Sequence, residues 1–213
     1  MSRPLTVLDL GCGLGGVSFG YHLAGCLVTG VDIAPQPSYP FPGRFIQADY
    51  LDFPLEGYDL IHLSAPCQRF SRMVKSRPGL WQRYPDHITP MRPRLIASGI
   101  PYVIENVEGA PLREPILLCG ASFGREMYRH RLIETSLDIA PPPHPRHAVR
   151  ASRAGHWEPG TYISVAGHCS PMWKAREAMG ISWGTREELA EAVPPCFSEY
   201  IGLQARLALM VAA

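Results

Sequence analysis

The 213-residue sequence predicts an α/β fold in which a mostly parallel sheet is covered by helices on both faces. Three observations predict it. Short runs that are apolar throughout alternate with helical segments, as strands buried on both sides require. A glycine-rich turn follows the first of these runs at once. Beyond Pro115, two further runs are separated by a short connection, which favours an antiparallel hairpin at one edge of the sheet.

Residues 5–10 read as the first strand, and Gly11-Cys12-Gly13-Leu14-Gly15-Gly16 is the turn after it. Residues 17–24 suit a helix ending near Gly25. Strands follow at 27–32, 44–48 and 58–64, with a fifth at 102–105 entered from Pro101. The hairpin uses 116–119 and 131–135. Residues 140–157 are rich in proline, histidine and arginine without a period and read as loop, whereas 162–166 reads as one more strand. Thr185 and Glu188 form a capping box for a helix over 185–192. Pro194-Pro195 stops it, and an amphipathic helix closes the chain over 198–211. With no repeat or low-complexity tract, 1–213 reads as a single domain in which 136–161 is a loop-rich insert.

Hydrophobic content of 46% and charged content of 18% are those of an ordinary globular chain. No run of 18 apolar residues occurs, and the N-terminus lacks a charged region leading into an apolar core. The sequence therefore gives no reason to expect a membrane span or a secretory signal, and a cytoplasmic setting is expected. The six cysteines, at 12, 26, 67, 119, 169 and 196, form no CxxC pair and read as reduced thiols. Net charge is +1, but its distribution is uneven. Arg69, Arg72, Lys75, Arg77, Arg83, Arg92 and Arg94 face the single acid Asp86, and a second basic stretch holds Arg125, Arg129, Arg131, Arg146, Arg150 and Arg153. Local patches of this kind hold phosphates even when total charge is near neutral. His144, His147, His156, His168 and Cys169 are irregularly spaced, unlike the tight pairs of metal ligands. They read as surface or phosphate-contacting side chains, and no metal site is expected.

Asp9-Leu10-Gly11-Cys12-Gly13-Leu14-Gly15-Gly16 lets a ligand approach the backbone with a helix N-terminus behind it. Alone it is a weak signal. Asp32, with Ile33 at the end of the second strand, is placed for ribose hydroxyls, and Asp49, with Tyr50 after the third, for an adenine amino group. The three in this order suit an adenosyl ligand. The fourth strand runs into Ser64-Ala65-Pro66-Cys67-Gln68-Arg69-Phe70-Ser71, at the strand end where open parallel sheets build their sites. A free thiol has a pKa near ~8.5 and needs a cationic setting to attack at neutral pH. Arg69 and Arg72 are the nearest cations in sequence. The fifth strand delivers Glu105-Asn106-Val107 to the same edge. A carboxyl there can contact pyrimidine N3 and stabilise the charge that appears when a nucleophile adds to carbon 6.

These segments, followed by Arg129-His130-Arg131, occur in the order of the cytosine carbon-5 DNA methyltransferase family, which the chain resembles over nearly its whole length. It is most similar to the short bacteriophage-encoded versions, which also carry Pro-Pro before the last helix. The resemblance implies a Rossmann-like S-adenosylmethionine-dependent methyltransferase fold with a reduced or absent target-recognition domain. It implies S-adenosylmethionine as cofactor, held by Asp9, Leu10, Gly11, Gly13, Leu14, Gly15, Gly16, Asp32, Ile33, Asp49, Tyr50 and Pro66. Cys67 would add to carbon 6 of cytosine, Glu105 would act at N3, and Arg131, supported by Arg129, would hold O2. The partner implied is DNA, double-stranded by preference, its target base flipped into the pocket. Gln68, Arg69, Phe70, Ser71, Arg72, Lys75 and Arg77 would lie in a closing loop over it, with Phe70 and Trp81 available for stacking.

The pattern departs from the family in three places. Phenylalanine is usual where Gly11 stands, so an aromatic contact is lost or comes from elsewhere. Met127 replaces a glutamine. The stretch between Thr135 and Pro194 is too short for a separate recognition domain, so sequence readout falls to the insert or to a partner, and relaxed specificity is expected. The segment from Pro194 to Gly202 is the expected far wall of the cofactor pocket. RNA or a free cytosine nucleotide is the alternative substrate. A catalytically weak nucleic-acid-binding protein is the alternative class, although such a protein would be free to lose Cys67 or Glu105.

Overall fold

The computed structural model describes residues 3–211. β1 (Thr6–Leu10), α1 (Gly16–Leu23), β2 (Leu27–Asp32), β3 (Phe45–Gln47) and β4 (Leu60–Ser64) come first, followed by a short α2 (Arg72–Lys75) and α3 (Ile88–Ala97). β5 (Tyr102–Asn106), β6 (Ile116–Leu118) and β7 (Arg131–Thr135) complete the sheet, and α4 (Met172–Met179), α5 (Arg186–Glu191) and α6 (Pro195–Val211) end the chain. The strand order is β3-β2-β1-β4-β5-β7-β6. The first five strands run parallel, while β7 pairs antiparallel with both β5 and β6. The expected mostly parallel sheet with an antiparallel edge hairpin is therefore present, with β7 inserted between β5 and β6.

Alternation along the strands divides the core by face. Val7 and Leu60 pack with Val17, Tyr21, Phe197 and Ile201 beneath α1 and α6. Leu8, Leu10, Ile61 and Leu63 pack with Ile88, Met91 and Leu95 of α3 on the other side. A third cluster joins Leu14 and Met127 to Ile163, Val165, Ala175, Met179 and Leu189, so Met127 is core, wholly buried. The first face also carries polar residues. Asp9 and His62 are register partners on β1 and β4 and fully buried; Asp9 accepts from Ser18 Oγ at 2.5 Å, and His62 Nδ1 meets Tyr21 Oη at 2.8 Å.

Two expectations need correction. Residues 162–166 form no strand: Tyr162 makes one isolated bridge to Ala151, because no further strand lies alongside. Pro195 begins α6 rather than merely ending α5, since a first-turn proline lacks only an N–H that has no helical partner there. α3 carries no clear sequence signal because Pro90 and Pro93 break its pattern. Asp86 starts it by accepting from the Ile88 and Thr89 amides at 2.9 and 3.0 Å, and Pro93 sits on the exposed side. The capping box is as expected, with Thr185 Oγ1 accepting from Glu188 N and Glu188 Oε2 from Thr185 N. Residues 136–161 contain neither helix nor strand, only isolated bridges. No described helix is long and apolar enough to cross a membrane.

Candidate active site

β1 and β4 are neighbours whose connections leave in opposite directions, β1 towards β2 and β4 towards β5, and a crevice opens at their C-terminal ends. A cleft of about 380 Å³ lies there, a size suited to a small organic ligand. Of the expected residues, Gly11, Gly13, Leu14, Gly16, Asp32, Ile33, Asp49, Tyr50, Pro66, Cys67, Gln68, Glu105 and Arg131 line it. Its far wall is Glu188, Glu191, Ala192 and Val193 rather than Pro194 to Gly202. That wall comes from α5 and its exit, whose sequence carried only a helix-capping signal.

Gly11 explains one departure from the family pattern. Its φ is +74°, and a Cβ there would lie 2.5 Å from the Ser64 carbonyl oxygen, so no side chain fits. The same Cβ position is 3.6 Å from the Tyr50 ring, which supplies an aromatic surface at that end of the cleft. Tyr50 is fixed by a 2.5 Å hydrogen bond between its hydroxyl and His87 Nδ1. Asp32 ties the turn to β2, accepting from the Gly13 and Ala34 amides at 3.0 Å each. Asp49 Oδ1 accepts from Leu51 N at 2.9 Å.

Asp9, Leu10 and Gly15 do not line the cleft. Asp9 is enclosed in the core, where burial raises its carboxyl to about 7 against the lowering effect of Ser18. Leu10 is wholly buried, and the Gly15 α-carbon is covered by Tyr39 and Pro40. These three shape the turn from behind.

Cys67 opens a 3-10 turn, its carbonyl accepting from the Phe70 and Ser71 amides at 3.0 Å each. Asn106, wholly buried, holds the approach to it by donating from Nδ2 to the Ala65 carbonyl at 2.8 Å. Glu105 pairs in register with Ser64, which brings its carboxyl beside the cysteine loop. Arg131 Nε lies 2.7 Å from Glu105 Oε1, an ion pair off the hydrogen-bond axis that leaves this buried oxygen without an aligned donor. Burial raises the Glu105 carboxyl, opposed by Arg131 and Arg129. Burial likewise raises the Cys67 thiol; Arg131 and Arg129 pull it down, while Glu105 pushes it up. The cations that act on Cys67 thus come from the β7 edge, not from Arg69 and Arg72.

Arg129 does not reach the cleft wall. Its guanidinium donates to the carbonyls of Val165, Ala190 (2.7 Å) and Ala192 (2.6 Å), fastening the start of β7 to the end of α5. Much of the expected basic patch is also committed internally. Arg69 donates to the Tyr84 carbonyl at 2.8 Å and stacks over Trp81, 4.8 Å from its ring centre. Arg92 pairs with Glu134 inside the core, and Arg94 caps carbonyls of residues 50, 51 and 53. Phe70 is buried and anchors the loop, so it is no stacking platform. Ser71 caps α2 through Val74 N, Arg72 pairs with Glu108 at 2.9 Å, and Lys75 donates to the Gly109 carbonyl at 3.1 Å. Arg77 and Arg83 are exposed.

No protein-family model and no curated sequence matches the chain. Solved structures do. A protein described as a candidate DNA modification methyltransferase encoded within an E. coli prophage is 16% identical, with a TM-score of 0.64 over 97% of this chain and 99% of its own. An Entamoeba histolytica methyltransferase is 11% identical, with a TM-score of 0.62 over 98% and 99%. The S. pombe Dnmt2 methyltransferase is 13% identical, with a TM-score of 0.59 over 99% of both chains. At these identities the likeness establishes the fold, that of the methyltransferases, and nothing finer.

Proposed function

We propose that this chain is a cytosine carbon-5 methyltransferase that acts on DNA with S-adenosylmethionine as methyl donor. One observation carries the reading. Cys67, Glu105 and Arg131 share a single cleft with the glycine turn, Asp32, Asp49 and Tyr50.

The residues fit the donor. The cleft is lined by the carboxylates Asp32, Asp49, Glu105, Glu188 and Glu191 against one guanidinium, Arg131, which favours a ligand bearing a sulfonium and an ammonium. Asp32 would hold the ribose diol, Asp49 would take the adenine amino group, and Tyr50 with Ile33 would give the adenine apolar surface. When bound, the donor supplies an electrophilic methyl group to carbon 5.

The protein's own groups account for the rest. Glu105, raised towards its protonated form by burial, gives a proton to N3, and Arg131 holds O2. While protonated, Glu105 carries no charge to oppose ionisation of Cys67, whose thiol proton passes to solvent before the attack. Cys67 Sγ bonds to carbon 6, and the displaced π pair makes carbon 5 nucleophilic. After methylation, loss of the carbon-5 proton to solvent re-forms the double bond and expels the Cys67 thiolate, and the N3 proton returns to Glu105. Arg129 is a positioning residue in this scheme. Arg77 and Arg83, exposed in the segment after Cys67, are the cations left to face phosphate, with Gln68 lining the cleft.

The test is transfer of labelled methyl from S-adenosylmethionine to duplex DNA, tRNA and dCMP. Label in duplex DNA, abolished by Cys67→Ala and trapped covalently on a duplex containing 5-fluorocytosine, is expected. Label confined to tRNA or dCMP would reassign the substrate, and transfer by Cys67→Ala would remove the nucleophile from the scheme.

A further inference from the structure

The irregular histidines acquire a different meaning once the chain is folded. Cys169 is core, with Sγ near the Arg186 carbonyl, His168 meets Arg186, and His156 lies exposed elsewhere in the insert. His144 and His147 instead reach the sheet edge, where they meet Cys119 and His130, neither of which the sequence marked as a ligand. The four donor atoms all lie within 4.8 Å of one another. His130 Nε2 is 3.3 Å from the Nε2 atoms of both His144 and His147, and Cys119 Sγ is 3.5 Å from His147 Nε2.

From these contacts we infer a structural zinc site formed by Cys119, His130, His144 and His147. A zinc tetrahedron with bonds of about 2.05 Å to nitrogen and about 2.3 Å to sulfur has N···N edges of about 3.4 Å and N···S edges of about 3.6 Å. The three measured separations match those edges.

The surroundings are those of a ligand set. His130 Nδ1 is 3.2 Å from Glu108 Oε1, so the proton belongs on Nδ1 and the Nε2 lone pair faces the cluster, the arrangement that orients metal-bound imidazoles. A single lone pair cannot be shared well by two further imidazoles at 3.3 Å, whereas a cation between them satisfies all three. Tyr128 stacks on His147, with ring centres 3.6 Å apart and planes at 18°, and is itself held by Val149. Cys119 Sγ is buried at the end of β6 and lies 3.1 Å from the Tyr128 carbonyl, which holds it towards the cluster.

Four protein donors leave no open position, so the role is structural rather than catalytic. The ion would staple residues 136–161, which have no helix or strand of their own, to the β6–β7 edge. It would also fix His130, between Arg129 and Arg131, and through Glu108 reach Arg72 of the loop after Cys67.

The full-length protein, stripped with a chelator and titrated with zinc against a competing chelating dye, tests this. Stoichiometric zinc with tight binding is expected. Cobalt in its place is expected to give the intense visible bands of tetrahedral coordination with a near-ultraviolet thiolate-to-cobalt band. His144→Ala/His147→Ala, at exposed positions that leave the core intact, is expected to weaken zinc at least 100-fold, and Glu108→Gln 10–100-fold. His156→Ala should bind like wild type. Absence of zinc binding by the wild type, a six-coordinate cobalt spectrum without the thiolate band, or unaltered affinity in the double variant would each overturn the site. None of these readouts depends on methyl transfer.

Discussion

Asp9 and His62 face one another across β1 and β4 in the core, and their titrations act on stability with opposite sign. His62 is lowered to about 3 by burial, and protonation would place a charge on a ring whose Nε2 has no partner. Against an unfolded value of about 6.5, the unfolded chain binds the extra proton between those limits, so this term costs stability as pH falls from about 6.5 towards 3. At pH 5 the loss is about 2 kcal/mol. Asp9 is raised to about 7 by burial. Against an unfolded value near 3.9 the folded chain holds the extra proton, so this term adds stability as pH falls from about 7 towards 4, about 2.5 kcal/mol between pH 7.5 and 5. In the wild type the two nearly cancel. Relative to wild type, urea unfolding between pH 7.5 and 5 should show His62→Gln gaining about 2 kcal/mol as pH falls, and Asp9→Asn losing about 2.5 kcal/mol. Each substitution also carries a pH-independent offset, so the slope is the measurement. Titrations shared by all three proteins drop out on subtraction. Parallel curves, or slopes of the reverse sign, would refute the assignment of these charge states.

Glu105→Gln keeps a neutral side chain of the same size beside Arg131 but has no proton to give to N3, so methyl transfer should fall by roughly 10²–10⁴ while the thermal midpoint stays near wild type. Transfer within a few-fold of wild type would remove Glu105 from the proton step. At Gly20 on α1, an added Cβ would lie 2.0 Å from the Pro195 carbonyl and 2.1 Å from Ser198 Oγ. Gly20→Ala should therefore lose about 2 kcal/mol despite better helix propensity, seen by calorimetry as a midpoint drop of roughly 4–8 °C, and a rise would contradict the α1–α6 approach. Asn106→Ala leaves the Ala65 carbonyl unpaired and should reduce the rate of transfer while leaving the KM for S-adenosylmethionine near wild type; steady-state kinetics separate the two.

Sequence reading succeeded where a local signal and the tertiary demand agree. The strands at 27–32 and 131–135 have the bounds that the sequence predicts, because β-branched and apolar residues there meet strands on either side. It failed where a long-range partner decides. Residues 162–166 have the composition of a strand but no strand to join, and α4 buries Lys174, Ala175, Ala178 and Met179, a face in which one lysine and two alanines leave no clear apolar stripe. Asp9 shows the same limit within the site. Its place at the head of the glycine turn suggested a ligand contact, but strand alternation turns it inward towards Ser18, and only Gly11 onwards faces the cleft.

The electrostatics of Cys67 show why nearness in sequence misled. Arg69 and Arg72 follow the cysteine closely, yet one is folded back onto Trp81 and Tyr84 and the other faces Glu108. The effective cation, Arg131, is 64 positions away by its number and arrives because β7 is inserted between β5 and β6. Asn106 pairs with Leu132 and Glu105 with Ile133, which puts Arg131 at the strand end beside the Glu105 carboxyl. A one-residue slip of β7 would reverse the faces of its side chains and carry that guanidinium away from both Glu105 and Cys67. Arg129, through the carbonyls at the end of α5, and His130, through Glu108, flank the residue that this register must place. The edge hairpin therefore does more than complete the sheet. Its register sets the charge around Cys67, and the contacts that hold the register lie outside the cleft.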